Sequence, residues 1–348
     1  MHIFWIVIKL AGGFVLLIKG ADFLVDGAGS LAKRFNMSEL VIGLTIVAFG
    51  TSAPELIVNS LASFQDKNQI VLGNVIGSNI FNIFLILGIA GLIRPLTVQK
   101  STVWREIPFS LFAVILLVVM VAEGLLFHGP VQAGAPSGSV AGTVIEGGGF
   151  SGRTGTVSRI DGGILLLFFA GFIIYAFKIA RIGEIEADSV TVRGPALTLL
   201  LILGGLAGLA FGGRFVVNGA VEAATLLGVS ERIVAITIVS AGTSLPELFT
   251  SAVAAFRGKN DLAVGNVVGS NIFNLMLILG VSSLVRPIVY DWSRFGLDTA
   301  VLGVATLLLF VTMFTGKRKV LDRWEAAVFL VLFCGYLTWI VLGPGAIY

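Results

Sequence analysis

Two glutamates, Glu55 and Glu247, stand at matching places in a duplicated motif, Gly50-Thr51-Ser52-Ala53-Pro54-Glu55 and Gly242-Thr243-Ser244-Leu245-Pro246-Glu247. Both lie in apolar stretches, and a carboxylate at the centre of a membrane helix costs about 2.5–3.5 kcal/mol. Something must offset that cost twice. The donors alongside are oxygens: the hydroxyls of Thr51, Ser52, Thr243 and Ser244, and backbone carbonyls around Thr51 and Thr243. Pro54 and Pro246 free such carbonyls, because proline lacks an N–H and disfavours helix at the residue before it. Ser52-x-x-Glu55 and Ser244-x-x-Glu247 read as capping boxes that restart a helix broken near Gly50-Thr51 and Gly242-Thr243. A break at mid-membrane is tolerated only where the freed groups are buried in protein or line a cavity, so capping alone does not explain it. An oxygen-liganded hard cation such as calcium does. Nitrogen and sulfur donors are missing from the motif, which argues against zinc or copper. Two carboxylates balance one divalent ion and equally suit two or three monovalent ones.

A second duplicated block, GNVIGSNIFN at Gly73–Asn82 and GNVVGSNIFN at Gly265–Asn274, adds polar groups. Ser78 and Asn82, like Ser270 and Asn274, are four residues apart and share a helix face. Asn79 and Asn271 point about 100° away from the serines. For these amides, hydrogen bonding between helices is at least as good a reading as ion contact. Gly73, Gly77, Gly265 and Gly269 read as small residues that let helices approach.

The elements that must position these residues are membrane helices. Of 348 residues, 56% are hydrophobic and 12% charged, about half the charge of a soluble domain, and mean hydropathy is +1.00. These values exclude a soluble enzyme, and the absence of strict alternation excludes an outer-membrane barrel. The net charge of +3 does not imply a nucleic-acid partner, because the basic residues are spread through loops as topology requires. One cysteine permits no internal disulfide, and two histidines make no zinc cluster. Hydropathy and breakers give ten spans: 3–30, 39–64, 69–93, 103–127, 160–181, 195–227, 232–256, 261–285, 296–315 and 324–343. The first is read as a span and not a cleaved leader, since it lacks a basic start and a cleavage site. A Gly/Ser-rich stretch, 129–163, reads as a flexible insertion, its loop proper at 129–159. Residues 182–194 form a short linker. Lys19 and Asp22 in span 1, and Arg214 and Glu222 in span 6, are expected to pair or snorkel at the interface.

An internal repeat organises the chain. Offset by 192 residues, Val41–Pro95 overlies Ile233–Pro287 without a gap, with 29 of 55 positions identical. The expected fold is all-α and polytopic, ten transmembrane helices as two inverted five-helix repeats. The first repeat covers 1–128 (spans 1–4) and 160–181 (span 5), and the second 195–348 (spans 6–10). Five spans per half turn the second half upside down. With the N-terminus outside, fourteen Lys and Arg residues face the cytoplasm against seven outside, as the positive-inside rule asks. Inverted repeats of this kind build many secondary transporters, with the binding site at the midplane.

The paired GTSxPE and GNVxGSNIFN motifs resemble the two α-repeats of the cation/calcium exchanger superfamily, and within it the prokaryotic sodium/calcium exchangers. The resemblance extends over the ten-span layout of the whole chain. It implies a plasma-membrane Na⁺/Ca²⁺ antiporter working by alternating access, electrogenic, with no cofactor beyond the transported ions. It also implies no partner but the bilayer and those ions, and no obligate protein partner. By that resemblance Glu55, Glu247 and the carbonyls of Thr51 and Thr243 bind Ca²⁺. The Na⁺ sites use Ala48, Thr51, Ser52, Glu55 and Ser78, with Ser240, Thr243, Ser244, Glu247 and Ser270. Asn82 and Asn274 line the centre, and spans 1 and 6 slide across the core. Several relatives, potassium-dependent members among them, have Asp where this chain has Asn274, so the resemblance implies potassium-independent exchange. Proton/calcium exchange through the same glutamates is the alternative reading, and a calcium channel a more distant one.

Overall fold

The computed structural model describes residues 2–127, 154–180, 193–227 and 240–342. The Gly/Ser-rich stretch up to residue 153, the 182–194 linker up to residue 192, the start of the seventh span (232–239) and the Ser240 side chain lie outside the described residues. Eleven longer helices form in order: α1 (His2–Phe35), α2 (Glu39–Thr51), α3 (Ala53–Phe64), α4 (Asn68–Ile93), α5 (Ile107–Phe127), α6 (Arg159–Ala180), α7 (Pro195–Leu226), α8 (Leu245–Phe256), α9 (Asn260–Val285), α10 (Trp292–Thr312) and α11 (Arg323–Leu342). Among the described residues, eight helices are long and apolar enough to cross a membrane, or nine if the bent pair α2–α3 counts as one span. The shorter apolar helix α8 follows a single turn at Ser240–Gly242.

The repeat is visible element by element. Helices α3 and α8 begin and end 192 residues apart, as do α4 and α9. Both α4 and α9 carry a π-helical turn straight after the Ser-Asn pair, at Phe81–Ile86 and Phe273–Ile278. Such turns are rare and gather at functional sites. A further π turn at Thr102–Glu106 leads into α5, and another at Gly43–Val47 lies within α2.

Four short strands tie the halves together, and hydropathy did not signal them. Strand β1 (Leu96–Thr97), before α5, pairs antiparallel with β4 (Val320–Leu321), before α11; β2 (Thr154–Val157), before α6, pairs with β3 (Ile288–Asp291), before α10. Thr154–Val157 therefore corrects the flexible reading of 129–163 at its C-terminal end, and Arg159 already begins a helix.

Helices α1 and α7 lie against each other over most of their length, with backbones in contact. A Cβ added to Gly20 would sit 2.8 Å from the Gly205 carbonyl oxygen, and one on Gly13 would sit 2.9 Å from that of Gly212. Gly13 and Gly205 are equivalent across the 192-residue offset, and so are Gly20 and Gly212. As the number rises along α1 from Gly13 to Gly27, its contacts on α7 fall from Val216 to Ile202, so the two helices run antiparallel. At one end Lys9 pairs with Glu222. Of the charged residues expected to pair or snorkel, Glu222 reaches across to α1, and Asp22 is held by Arg257 at 2.6 Å and only loosely by Lys19 at 3.9 Å.

Candidate functional site

The site is built where α2–α3, α4, α8 and α9 meet. Ser52 is the joint between α2 and α3, its backbone (φ −85°, ψ 4°) leaving the helical region, with Pro54 in the first turn of α3; the two helices bend by 47°. Ser244 has nearly the same backbone (φ −90°, ψ 5°) ahead of α8, with Pro246 in the first turn. The break is therefore where the sequence placed it.

The capping boxes, however, do not form. Neither serine caps its own helix. The Ser52 hydroxyl donates to Glu247 Oε1 at 2.9 Å, and the Ser244 hydroxyl to Glu55 Oε1 at 3.1 Å. Each half thus orients the carboxylate of the other, and a hydroxyl bonded to a buried charge is worth more there than at a helix end. Ser244 Oγ also lies 3.2 Å from Ser78 Oγ. The threonines cross over in the same way: Thr51 donates to Asn266 Oδ1 at 3.1 Å and Thr243 to Asn74 Oδ1 at 3.3 Å. Asn82 Nδ2 donates to Asn271 Oδ1 at 2.9 Å, which favours the interhelical reading for that amide. Asn79 instead bonds its own helix at Val75 O, 2.7 Å.

Ala48, Thr51, Ser52, Glu55, Ser78, Asn82, Ser244, Glu247, Ser270 and Asn274 are all buried, and Thr243 is half-buried. Gly265 and Gly269 bear out close packing: a Cβ on either would lie 2.8 Å from a carbonyl oxygen of α2, Leu40 or Leu44. Beside the site runs an apolar cleft of about 1120 Å³ that reaches Gly50, Thr243 and Pro246.

Asn74 and Asn266 were missed as individual site residues. They lie inside the quoted GNV blocks, four residues before Ser78 and Ser270 and so on the serine face, and Ser78 donates to Asn74 Oδ1 at 3.3 Å; the same four-residue spacing was the signal for them. Two other acids also sit within spans, each under a tyrosine hydroxyl: Tyr175 donates to Glu106 Oε1 at 2.6 Å, and Tyr336 to Asp298 Oδ1 at 2.9 Å. Glu106 and Asp298 are again 192 residues apart.

The electrostatic balance of the site is unfinished. Neither Glu55 nor Glu247 has a basic partner among the described residues. Glu55 Oε2, Glu247 Oε2, Asn82 Oδ1, Asn274 Oδ1 and Ser270 Oγ are buried with no hydrogen-bond partner, although buried polar atoms nearly always have one. All five are oxygens able to accept. Among the described residues no three His, Cys, Asp or Glu side chains converge as metal ligands, so hydroxyl and amide oxygens must complete any coordination shell around the two carboxylates. Such a donor set fits a hard cation.

A helical membrane protein with a buried, oxygen-rich cluster around two carboxylates belongs to the class of ion-handling membrane transporters. The comparisons with known proteins make this specific. The sodium/calcium exchanger protein family matches residues 5–178 and 197–342. The putative antiporter CaxA of Alkalimonas amylolytica is 35% identical, covering 93% of this chain and 95% of that protein. The sodium/calcium exchanger MaX1 of Methanosarcina acetivorans is 33% identical, with 93% and 95% covered. A solved structure of the sodium-calcium exchanger NCX_Mj, soaked with Na⁺ and no Ca²⁺, superposes with a TM-score of 0.77 at 30% identity, covering 96% of this chain and 98% of that one. The chain belongs to the sodium/calcium exchanger family of membrane transporters.

Proposed function

We propose that the protein exchanges Na⁺ for Ca²⁺ across the membrane by alternating access, at one site shared by its two halves. The observation that carries this reading is the crossed carboxylate cage, in which Glu55 and Glu247 are each oriented by a serine of the opposite half and left with a free oxygen. Ca²⁺ is bound as substrate by Glu55, Glu247 and the carbonyls of Thr51 and Thr243. Na⁺ ions occupy flanking positions around Ala48, Ser52 and Ser78 on one side and Ser240, Ser244 and Ser270 on the other, sharing Thr51, Thr243 and the glutamates. Asn82 and Asn274 line the centre. Because both ions need the same carboxylates, they exclude each other, and exclusion at one site is what turns two leaks into an exchange.

The architecture for this is ten spans in two inverted repeats, 1–181 and 195–348, divided by the 182–194 linker. The antiparallel α1–α7 contact between equivalent glycines supports the inversion. The close backbone contact between α1 and α7 supports their moving over the core as one unit. The N-terminus lies outside, at the plasma membrane. Asn274 adds no third charge to the cage, so exchange is independent of potassium; the family resemblance implies that it is electrogenic. No cofactor or protein partner is required.

The test is Ca²⁺ uptake into proteoliposomes under an imposed Na⁺ gradient, with K⁺ and pH varied separately. The reading expects uptake that needs the Na⁺ gradient, ignores K⁺ and responds to membrane potential. Uptake driven by a pH gradient in Na⁺-free medium would establish proton/calcium exchange instead.

A further inference from the structure

We infer that Arg257, Asp22 and Asp26 form a one-sided latch that holds α1 against the core at one end of the molecule and biases which face the ion site opens to. The inference rests on the sliding of α1 and α7 proposed above. Arg257 directly follows α8, the helix that carries Glu247. Its guanidinium spans two carboxylates of α1, with Nη2 2.6 Å from Asp22 Oδ1 and Nη1 bonded to Asp26 Oδ1. The turn that carries it is fixed to the core: Lys259 Nζ reaches Glu39 Oε1 at the start of α2 in 2.6 Å, and Gly258 takes the left-handed φ of +77° that a tight reversal requires.

Among the described residues the opposite end has no equivalent of this bond. Carried across the 192-residue offset, Asp22 becomes Arg214, Asp26 becomes Asn218 and Arg257 becomes Gln65. A cation facing two neutral amides cannot make the pair. Lys9–Glu222 and Arg193–Asp26 join α1 to α7 or to the residue leading into it, so they travel with the sliding pair and do not oppose it. The pairs of Arg257, by contrast, cross from the moving helices to the core. A lone exposed ion pair is worth little, but a bidentate guanidinium only 30% exposed and shared by two carboxylates is a network with defined geometry. Opening at this end must separate it, and among the described residues no equivalent pair is separated by opening at the other end. The conformer closed at the Arg257 end is therefore favoured, and ion affinity measured from that face is reduced by the fraction of molecules open to it.

Pulsed spin-label distances between positions 23 on α1 and 92 on α4 test this in the full chain with Cys334→Ser. Phe23 and Leu92 are both exposed and neither belongs to the site. The latch expects one dominant distance in the parent, a second distance several-fold more populated in Arg257→Gln and in Asp22→Asn, and its suppression in the charge exchange Arg257→Asp with Asp22→Arg. Lys9→Gln leaves the parent distribution unchanged. Identical distributions in the parent, Arg257→Gln and Asp22→Asn would overturn the latch. This readout uses no transport, so failed Na⁺/Ca²⁺ exchange in vesicles would count against the exchanger reading separately.

Discussion

The ion cage and the α1–α7 pair repeat at the same 192-residue offset, yet they are held together by opposite means. In the cage, side chains cross between halves: Ser52 to Glu247, Ser244 to Glu55, Thr51 to Asn266 and Thr243 to Asn74. Each of these bonds has one geometry, and shifting either helix by a turn would break several at once. In the α1–α7 pair, Gly13, Gly20, Gly205 and Gly212 bring backbone against backbone. The contrast separates side-chain bonds that tie the two halves together at the site from a backbone seam that joins α1 and α7 into one unit.

The largest expected effect lies in the cage. Glu55→Gln or Glu247→Gln removes one of the two carboxylate charges of the proposed ion site, and each should lower Na⁺-driven Ca²⁺ flux by more than about 100-fold while the protein still folds and inserts. Flux near the parent's in either variant would detach that glutamate from the site.

The glycine surface gives a sharper contrast between neighbours. A Cβ at Gly13 would meet Val216 and the Gly212 carbonyl within 2.9 Å, whereas at Gly12 nothing lies within 4 Å. Overpacking costs about 1–3 kcal/mol. Gly13→Val should therefore lower the unfolding temperature in detergent and slow transport, and Gly12→Val should do neither. Equal effects would mean the pair is not closely apposed.

Within the cage, Ser52→Ala and Ser244→Ala each delete a hydroxyl bonded to a carboxylate, worth about 1.5–3 kcal/mol. Ca²⁺ affinity should fall by roughly 10-fold or more in both variants, and about equally. A loss confined to one of them would show that the halves contribute unequally. The smallest effect is a coupling: in a double-mutant cycle on Ca²⁺ affinity, Thr51→Val and Asn266→Ala should interact by about 0.5–3 kcal/mol, while Thr51→Val and Asn74→Ala, which share no bond, should add.

Much of this was legible in the chain because it rests on local signals. Proline marked the break at Ser52 and Ser244, and hydropathy found the eight long apolar helices of the described residues and the bent pair α2–α3, with Trp292–Thr312 starting a turn earlier than expected. What was not legible depends on partners distant in sequence. The serines looked like helix caps because Glu55 and Glu247 follow three residues later, but the carboxylates they bond are 195 and 189 residues away. Asn74 and Asn266 were within reach of the four-residue spacing that picked out Ser78 and Ser270, but their threonine partners, in the other half, were not. The strands at Leu96–Thr97 and Thr154–Val157 are too short to show alternation and exist only by pairing with residues near the far end of the chain.

Calorimetric titration of Ca²⁺ into the purified protein in Na⁺-free buffer, beside Glu55→Gln and Glu247→Gln, addresses the shared site most directly. One binding event in the parent, abolished by either single substitution, is the outcome this account requires. Two events, each removed by a different glutamate, or binding that survives both substitutions, would contradict it.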